Sequence, residues 1–222
     1  MDMILSALPS LLSGAFVTVQ LVAWSLALGL VLALLVALAL MSPNRLIAGP
    51  AALYVFLFRS TPLLVQLFLI YYGAGQFVAV RESFLWPLLR EPYWCAIIAL
   101  TLNTAAYTAE ILRGGIRAVP FGQIEAARAL GMHRGLLFRR IVLPQAFRQI
   151  LPAYGNEMIQ MVQATSLAST ITLMELTGAA RTIASRSFQP VEMFVIAGAF
   201  YLAMNFVIAQ AVRWGEKRMA AA

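Results

Sequence analysis

The sequence predicts an all-α integral membrane protein with five transmembrane helices, and three observations carry that prediction. Hydrophobic residues make up 62% of the 222 and charged residues only 11%, against about 25% charged in an ordinary soluble domain. The apolar residues fall into five stretches, each long enough for the roughly 20 residues that cross a hydrocarbon core. The basic residues collect in the interval between the third and fourth stretches, a pattern that topology imposes on membrane chains.

The first stretch, 14–41, contains no ionisable residue. The second, 47–72, is interrupted by Arg59 and Pro62, where proline removes an N–H and breaks the helix. Broken helices at membrane depth are tolerated where they line a cavity or are covered by protein. The third is 93–112, the fourth, 150–171, starts near Pro152 and carries Glu157, and the fifth, 191–212, has Glu192 at its edge. No internal repeat or low-complexity linker divides the chain, so residues 1–222 are expected to form one domain. Met1-Asp2-Met3 lacks the basic start of a secretory signal, and the first apolar stretch is too long for one. It is expected to remain as a membrane helix.

Orientation follows from the charges. Between the third and fourth stretches lie Arg113, Arg117, Arg128, Arg134, Arg139, Arg140 and Arg148, seven of the sixteen basic residues. The positive-inside rule makes that interval cytoplasmic. Alternation then puts the N-terminus outside, Arg45 inside, residues 73–92 outside, and the tail with Arg213, Lys217 and Arg218 inside. The outer segments hold Arg81, Arg90, Arg181 and Arg186, the first two beside Glu82 and Glu91.

The net charge of +7 is therefore a matter of topology and not of a nucleic-acid surface. Cys95 is the single cysteine, which excludes an internal disulfide. No group of thiols or histidines suggests a metal, and Cys95 and His133 read as packing or surface residues. A phosphate-cradling loop needs a glycine-rich turn followed by lysine. The one lysine, Lys217, follows Glu216 and Gly215 without such a turn. No catalytic residue and no cofactor are expected, and an ATPase that drove this chain would be a separate subunit.

Arg59, Glu110, Glu157 and Glu192 fall within or at the edge of the spans. A charge at the bilayer centre costs roughly 2.5–3.5 kcal/mol on insertion scales, so each needs a partner or a wet cavity. Glu157 lies nine residues beyond Arg148, about 13 Å along a helix. Asn156, Gln160 and Gln163 stand within helical reach and extend it into a polar stripe, while Ile159, Val162 and Leu167 turn elsewhere. Such a stripe suits the wall of a translocation path, with Glu157 facing a cation. The alternative is a buried carboxylate locked to an arginine. Asn103, Tyr107 and Glu110 form a second stripe, and Arg113 three residues on offers Glu110 a local ion pair. Arg59 is expected to neutralise Glu110, with contact to a substrate carboxylate as the other reading.

The interval 113–149 is the long polar connector. From Gly122 to Leu130 it is rich in helix formers, with Ile124, Ala127 and Leu130 at helical spacing, so a short amphipathic helix is expected. Gly131 supplies the permissive backbone that stops it. Glu125-Ala126-Ala127, three residues, Gly131, nine residues, then Ile141-Val142-Leu143-Pro144 would make a docking knob on the wet side.

That spacing resembles the coupling loop of permease subunits of bacterial ATP-binding-cassette importers, the loop that inserts into a groove on the ATPase. The rest of the chain resembles the branch of that family serving histidine, arginine, glutamine and opines. Phe58-Arg59-Ser60-Thr61-Pro62-Leu63-Leu64-Val65-Gln66, the run Ala99 to Glu110, and Leu151-Pro152-Ala153-Tyr154-Gly155-Asn156-Glu157 carry the likeness. The family usually has glycine where Ser60 stands. The Asn156-Glu157 pair is most similar to the histidine and arginine systems, in which a carboxylate meets a basic substrate. The resemblance implies a type I importer permease fold in the bacterial inner membrane. It also implies two ATPase subunits, a second permease (identical or sister) and a periplasmic amino-acid-binding protein docking around residues 73–92 and 172–190. The substrate path would hold Glu157, Asn156, Gln160, Asn103, Tyr107 and Arg59. ATPase coupling would rest on Glu125, Ala126, Ala127, Gly131, Leu143 and Pro144, with the coupling helix acting as a lever for alternating access. The cargo expected is a basic amino acid (arginine, histidine, lysine or ornithine), the alternatives glutamine, glutamate or an opine. A rival class, a self-sufficient ion-coupled transporter or channel relaying protons or sodium through Glu110 and Glu157, leaves the docking loop without a purpose.

Overall fold

The computed structural model describes residues 2–220, so Met1 of the N-terminal expectation lies outside it. Among the described residues every regular element is helical. In order they are α1 (Asp2–Leu40), α2 (Arg45–Ser60), and α3 (Leu63–Phe68) running into a π turn, Leu69–Gly73. Two short helices follow, α4 (Val78–Arg81) and α5 (Trp86–Leu89), then α6 (Pro92–Arg117), α7 (Phe121–Ala129) and α8 (Arg134–Leu137). A second π turn, Phe138–Val142, joins α8 to α9 (Leu143–Ala164). A 3-10 segment, Thr165–Ile171, then α10 (Leu176–Ser187) and α11 (Pro190–Ala220) complete the chain.

Among the described residues three helices are long and apolar enough to cross a membrane: Ser6–Leu40 within α1, Pro92–Arg117, and Pro190–Met219 within α11. The pair Arg45–Ser60 and Leu63–Gly73 passes the same test jointly, bent by 106° at the joint. The break expected at Pro62 is thus a sharp corner rather than a kink. At the fourth expected span stands α9, long enough to cross but too polar to qualify on composition, because it carries Asn156, Glu157, Gln160 and Gln163. α1 begins well before residue 14, since Ala7 and Leu11 are buried against Leu176 and Met193 of α10 and α11.

α6 is the central post. Leu21 of α1, Leu67 of α3, Leu100 of α6 and Met161 of α9 share one buried cluster. Ala33 and Ala37 of α1, Val55 of α2 and Ala105, Ala106 and Ala109 of α6 share another. Small residues let these helices approach closely, which is how helices associate where lipid offers no hydrophobic drive. Gly155 shows the demand: a Cβ there would stand 2.7 Å from Val212 of α11. These contacts run α9 antiparallel to α6 and α11 antiparallel to α9, and the end of α6 and the start of α9 meet beside α7.

The segment 172–190, expected as a loop, is largely α10. Leu176, Gly178, Ala179, Ala180 and Ala184 are buried, and the helix packs on α1 and α11. Its cap is Glu175, fully buried, whose carboxylate accepts from the Gly178 and Thr177 amides at 2.7 and 3.0 Å. Tyr201 of α11 and Thr18 of α1 donate to it at 2.8 and 3.4 Å. The sequence reading passed over this carboxylate. The signal present was an acidic residue one position ahead of an apolar helical repeat, Leu176, Ala179, Ala180 and Ile183.

Candidate functional site

The corner in the second span comes from one missing hydrogen. Pro62 has no N–H to offer the Phe58 carbonyl one turn back. The Gln66 side chain, buried on α3, supplies it instead: Nε2 donates to Phe58 O at 2.8 Å, to Thr61 O at 3.1 Å and to Thr61 Oγ1 at 2.8 Å. Its Oε1 accepts from Asn103 Nδ2 of α6 at 3.0 Å. Asn103, expected on the substrate path, is therefore also part of the scaffold.

Between this corner, α6 and α9 lies a cavity of about 430 Å³, lined by Arg59, Ser60, Thr61, Pro62, Leu63, Asn103, Tyr107, Glu157, Gln160, Met161 and Ala164. Five of the six expected path residues meet there. Glu157 is 6% exposed, and its Oε1 accepts from Thr104 Oγ1 at 2.8 Å. A carboxylate has about four lone-pair sites, so one hydrogen bond leaves most of its capacity open to the cavity. No arginine pairs with it: the ion pairs among the described residues are Arg90–Glu91 and Arg113–Glu110. Arg59 sits over the Tyr107 ring, 5.2 Å from its centre. A cation and an anion thus share one wet chamber without touching.

Two expectations are corrected here. Arg59 does not neutralise Glu110, which instead binds Arg113 Nε through both oxygens at 3.2 Å. Residues at i and i+3 of one helix are neighbours, while Arg59 stacks on Tyr107, one turn before Glu110, and makes no ion pair with it. Asn156 is exposed and does not line the cavity. The single stripe drawn through Asn156, Glu157, Gln160 and Gln163 is two faces. Glu157, Gln160, Met161 and Ala164 face the chamber, whereas Gln163 opens with Ser166 and Asn205 onto a groove beside α11.

The short connector helix takes the expected form. α7 ends in Gly131 at φ +76°, with Gly131 N donating to Arg128 O at 2.9 Å and Met132 N to Ala127 O at 3.1 Å. That paired closure is the Schellman turn glycine permits. Ala127 packs with Val119, Leu137, Val142 and Ala146, so the helix is seated on the ends of α6 and α9. Glu125, Ala126, Leu143 and Pro144 remain exposed, as do Phe121 at 65% and Leu130 at 79%. Gln145 Nε2 adds a hydrogen bond to Gln123 Oε1 at 2.6 Å. His133, expected to be incidental, caps α8 by accepting from Leu136 N at 3.3 Å, and Cys95 is buried, its thiol donating to Leu89 O at 3.1 Å.

A family model described as the inner membrane component of binding-protein-dependent transport systems matches residues 25–221. The chain belongs to that family. It is 55% identical over 215 residues to the octopine transport system permease protein OccM of Rhizobium meliloti, covering 94% of this chain and 88% of the relative. The nopaline transport system permease protein NocM of Agrobacterium fabrum is 53% identical over 216 residues, with 97% and 90% covered. The histidine/lysine/arginine/ornithine permease protein HisM of Escherichia coli is 43% identical over 207 residues, with 93% and 87% covered. A crystal structure of an amino acid ABC transporter with histidines superposes with a TM-score of 0.87 at 36% identity, covering 97% of this chain and 96% of that one. An inward-facing methionine transporter structure, MetNI, reaches 0.63 at 19% identity, a likeness of fold alone. This permease is an inner-membrane component of a bacterial ABC importer for amino acids or opines, with the type I permease fold. It is not itself an enzyme, and membership implies an ATPase and a substrate-binding protein as partners.

Proposed function

We propose that the chamber between the corner, α6 and α9 is the transport site for a substrate bearing a cationic side chain and a carboxylate. Glu157 receives the cation and Arg59 the carboxylate. The observation that carries this reading is Glu157 itself: buried, held by one hydroxyl, without an arginine partner, and lining a polar cavity. Octopine and nopaline are conjugates of arginine, so they keep its cationic guanidinium and carry more carboxylate than the free amino acid. The identities of 55% and 53% against 43% favour an opine over a free basic amino acid within this class.

A second permease subunit, identical or sister, completes the path, and two ATPases close against α7 from the cytoplasm. The seated helix passes their motion to α6 and α9, and so to the wall bearing Glu157, giving alternating access. A binding protein docks at the opposite end, where Phe84 and Phe188 are each 89% exposed.

The test is Glu157→Gln in the assembled importer. Losing a charge-assisted hydrogen bond costs roughly 1.5–3 kcal/mol, so uptake of cationic substrates should fall about ten- to hundredfold. Uptake of a neutral amino acid should fall far less at matched amounts of complex, and equal losses would sink the reading. The coupling arm is tested with Gly131→Val, which forces a β-branched residue to positive φ. Insertion should persist while ATPase association or substrate-stimulated hydrolysis is lost; normal co-purification with normal stimulation would refute the coupling role.

A further inference from the structure

Two residues, Thr61 and Pro62, separate α2 from α3 at a corner of 106°. Pro62 holds itself and Thr61 in extended backbone; the groups that bridge the joint fix the angle within that range. We propose that Gln66 is a positioning residue for substrate selectivity, holding the corner so that Arg59 stands over Tyr107 and presents its guanidinium to the substrate carboxylate. This inference rests on the chamber reading above.

The bridging is specific. The Phe58 and Thr61 carbonyls can only accept, so the amide nitrogen of Gln66 must face them and its oxygen must face Asn103 Nδ2. Both ends of the amide are thereby used. Asn103 lies on α6 one turn before Tyr107, the ring beneath Arg59. A closed circuit results: Arg59 rests on Tyr107, α6 carries Tyr107 to Asn103, Asn103 grips Gln66, and Gln66 grips the backbone on both sides of Arg59. The crook itself is a cavity of about 210 Å³, lined by Leu57, Phe58, Thr61, Gln66, Leu69 and Ile70. The Thr61 hydroxyl already donates to Leu57 O at 2.8 Å. No other side chain there can donate to the Phe58 carbonyl, and a backbone carbonyl left bare at membrane depth is costly enough to move the chain.

The test is equilibrium binding of labelled arginine, and of agmatine, which is arginine without its carboxylate. It uses the purified complex of permease and ATPase subunits with the binding protein omitted. Gln66→Met keeps the length and removes every donor. It should weaken arginine about tenfold and agmatine less than about twofold, because the loss passes through Arg59. In an Arg59→Met background the same change should add less than about twofold, as expected when two residues act as a unit. Equal loss of both ligands, or a full further loss in that background, would overturn the positioning role. If Gln66→Met does not assemble, Gln66→Asn keeps an amide but is one methylene too short to span from the Phe58 carbonyl to Asn103, and should weaken arginine about two- to threefold with agmatine unchanged; a shared loss overturns the proposal there too. An arginine-specific loss in Arg59→Met beside a shared loss in Gln66→Met would refute the role of Gln66 and leave the chamber standing. Unimpaired arginine binding by Arg59→Met would remove both.

Discussion

Among the described residues two carboxylates are buried, and they differ in their partners and surroundings. Glu175 is fully buried and saturated, with two amides, a tyrosine and a threonine directed at it from three helices. Glu157 is nearly as buried but is held by Thr104 alone and borders a cavity of about 430 Å³. The first is a keystone tying α1, α10 and α11 together. The second is short of partners on its cavity side, which suits the binding role proposed for it. Burial alone therefore says little about an intramembrane carboxylate; the number of its partners, and what lies on its open side, decide its role.

The largest effect should come from breaking the keystone. Glu175→Ala strips α10 of its cap and leaves two amide N–H groups and two hydroxyls, those of Tyr201 and Thr18, without their acceptor. A lost cap costs about 0.5–2 kcal/mol, and each buried group left bare about 1–3 kcal/mol. Loss of most assembled complex in detergent extracts is expected, with uptake of all substrates falling in proportion. Assembly at wild-type yield would mean that the network is not structural. Glu157→Gln should do the opposite: assembly close to wild type, and a loss confined to cationic substrates. A thermal midpoint of the complex that drops as far as in Glu175→Ala would erase the distinction between the two.

The same contrast explains what was legible in the sequence. Local features were readable, because they depend on residues close in the chain. Pro62 breaking the second span, Gly131 ending α7, and Arg113 pairing with Glu110 are all of this kind. The chamber was legible in outline, since polar residues in an apolar stretch are conspicuous. What could not be read was which side of a helix faces what. Asn156 and Glu157 are adjacent, about 100° apart around a helix, and only packing against α6 puts one outside the chamber and the other within it. Gln66 and Glu175 were missed because their partners are remote in sequence: Asn103 stands 37 residues away and Thr18 157. Glu175 carries a local capping pattern ahead of α10, but nothing in it points to α1 or α11; Gln66 carries no pattern beyond its own polarity.

A smaller effect should follow from Thr104→Val, which keeps the shape and removes the hydroxyl that donates to Glu157. The carboxylate would lose its orienting contact but keep its charge. Uptake of a cationic substrate should fall about three- to tenfold, less than in Glu157→Gln, because a single hydrogen bond to a charged group is worth about 1.5–3 kcal/mol before solvent in the chamber replaces it. A loss greater than that of Glu157→Gln would show that Thr104 matters for the packing of α6 on α9 rather than for the carboxylate.

The smallest effect should be Tyr201→Phe. The Tyr201 hydroxyl donates to Glu175 Oε2 at 2.8 Å and lies 2.9 Å from Thr177 Oγ1. Its removal still leaves Glu175 with two backbone amides and the Thr18 hydroxyl, so no acceptor is stranded. The expected cost is about 1 kcal/mol, or a fall of about 2–4 °C in the unfolding midpoint for a chain of this size. The ratio of cationic to neutral uptake should not move, because the keystone does not border the chamber. Tyr201 does border the groove with Gln163, Ser166 and Asn205, which makes the measurement informative in both directions. A shift in that ratio at unchanged stability would place the groove on the substrate path and make Glu175 part of the transport machinery.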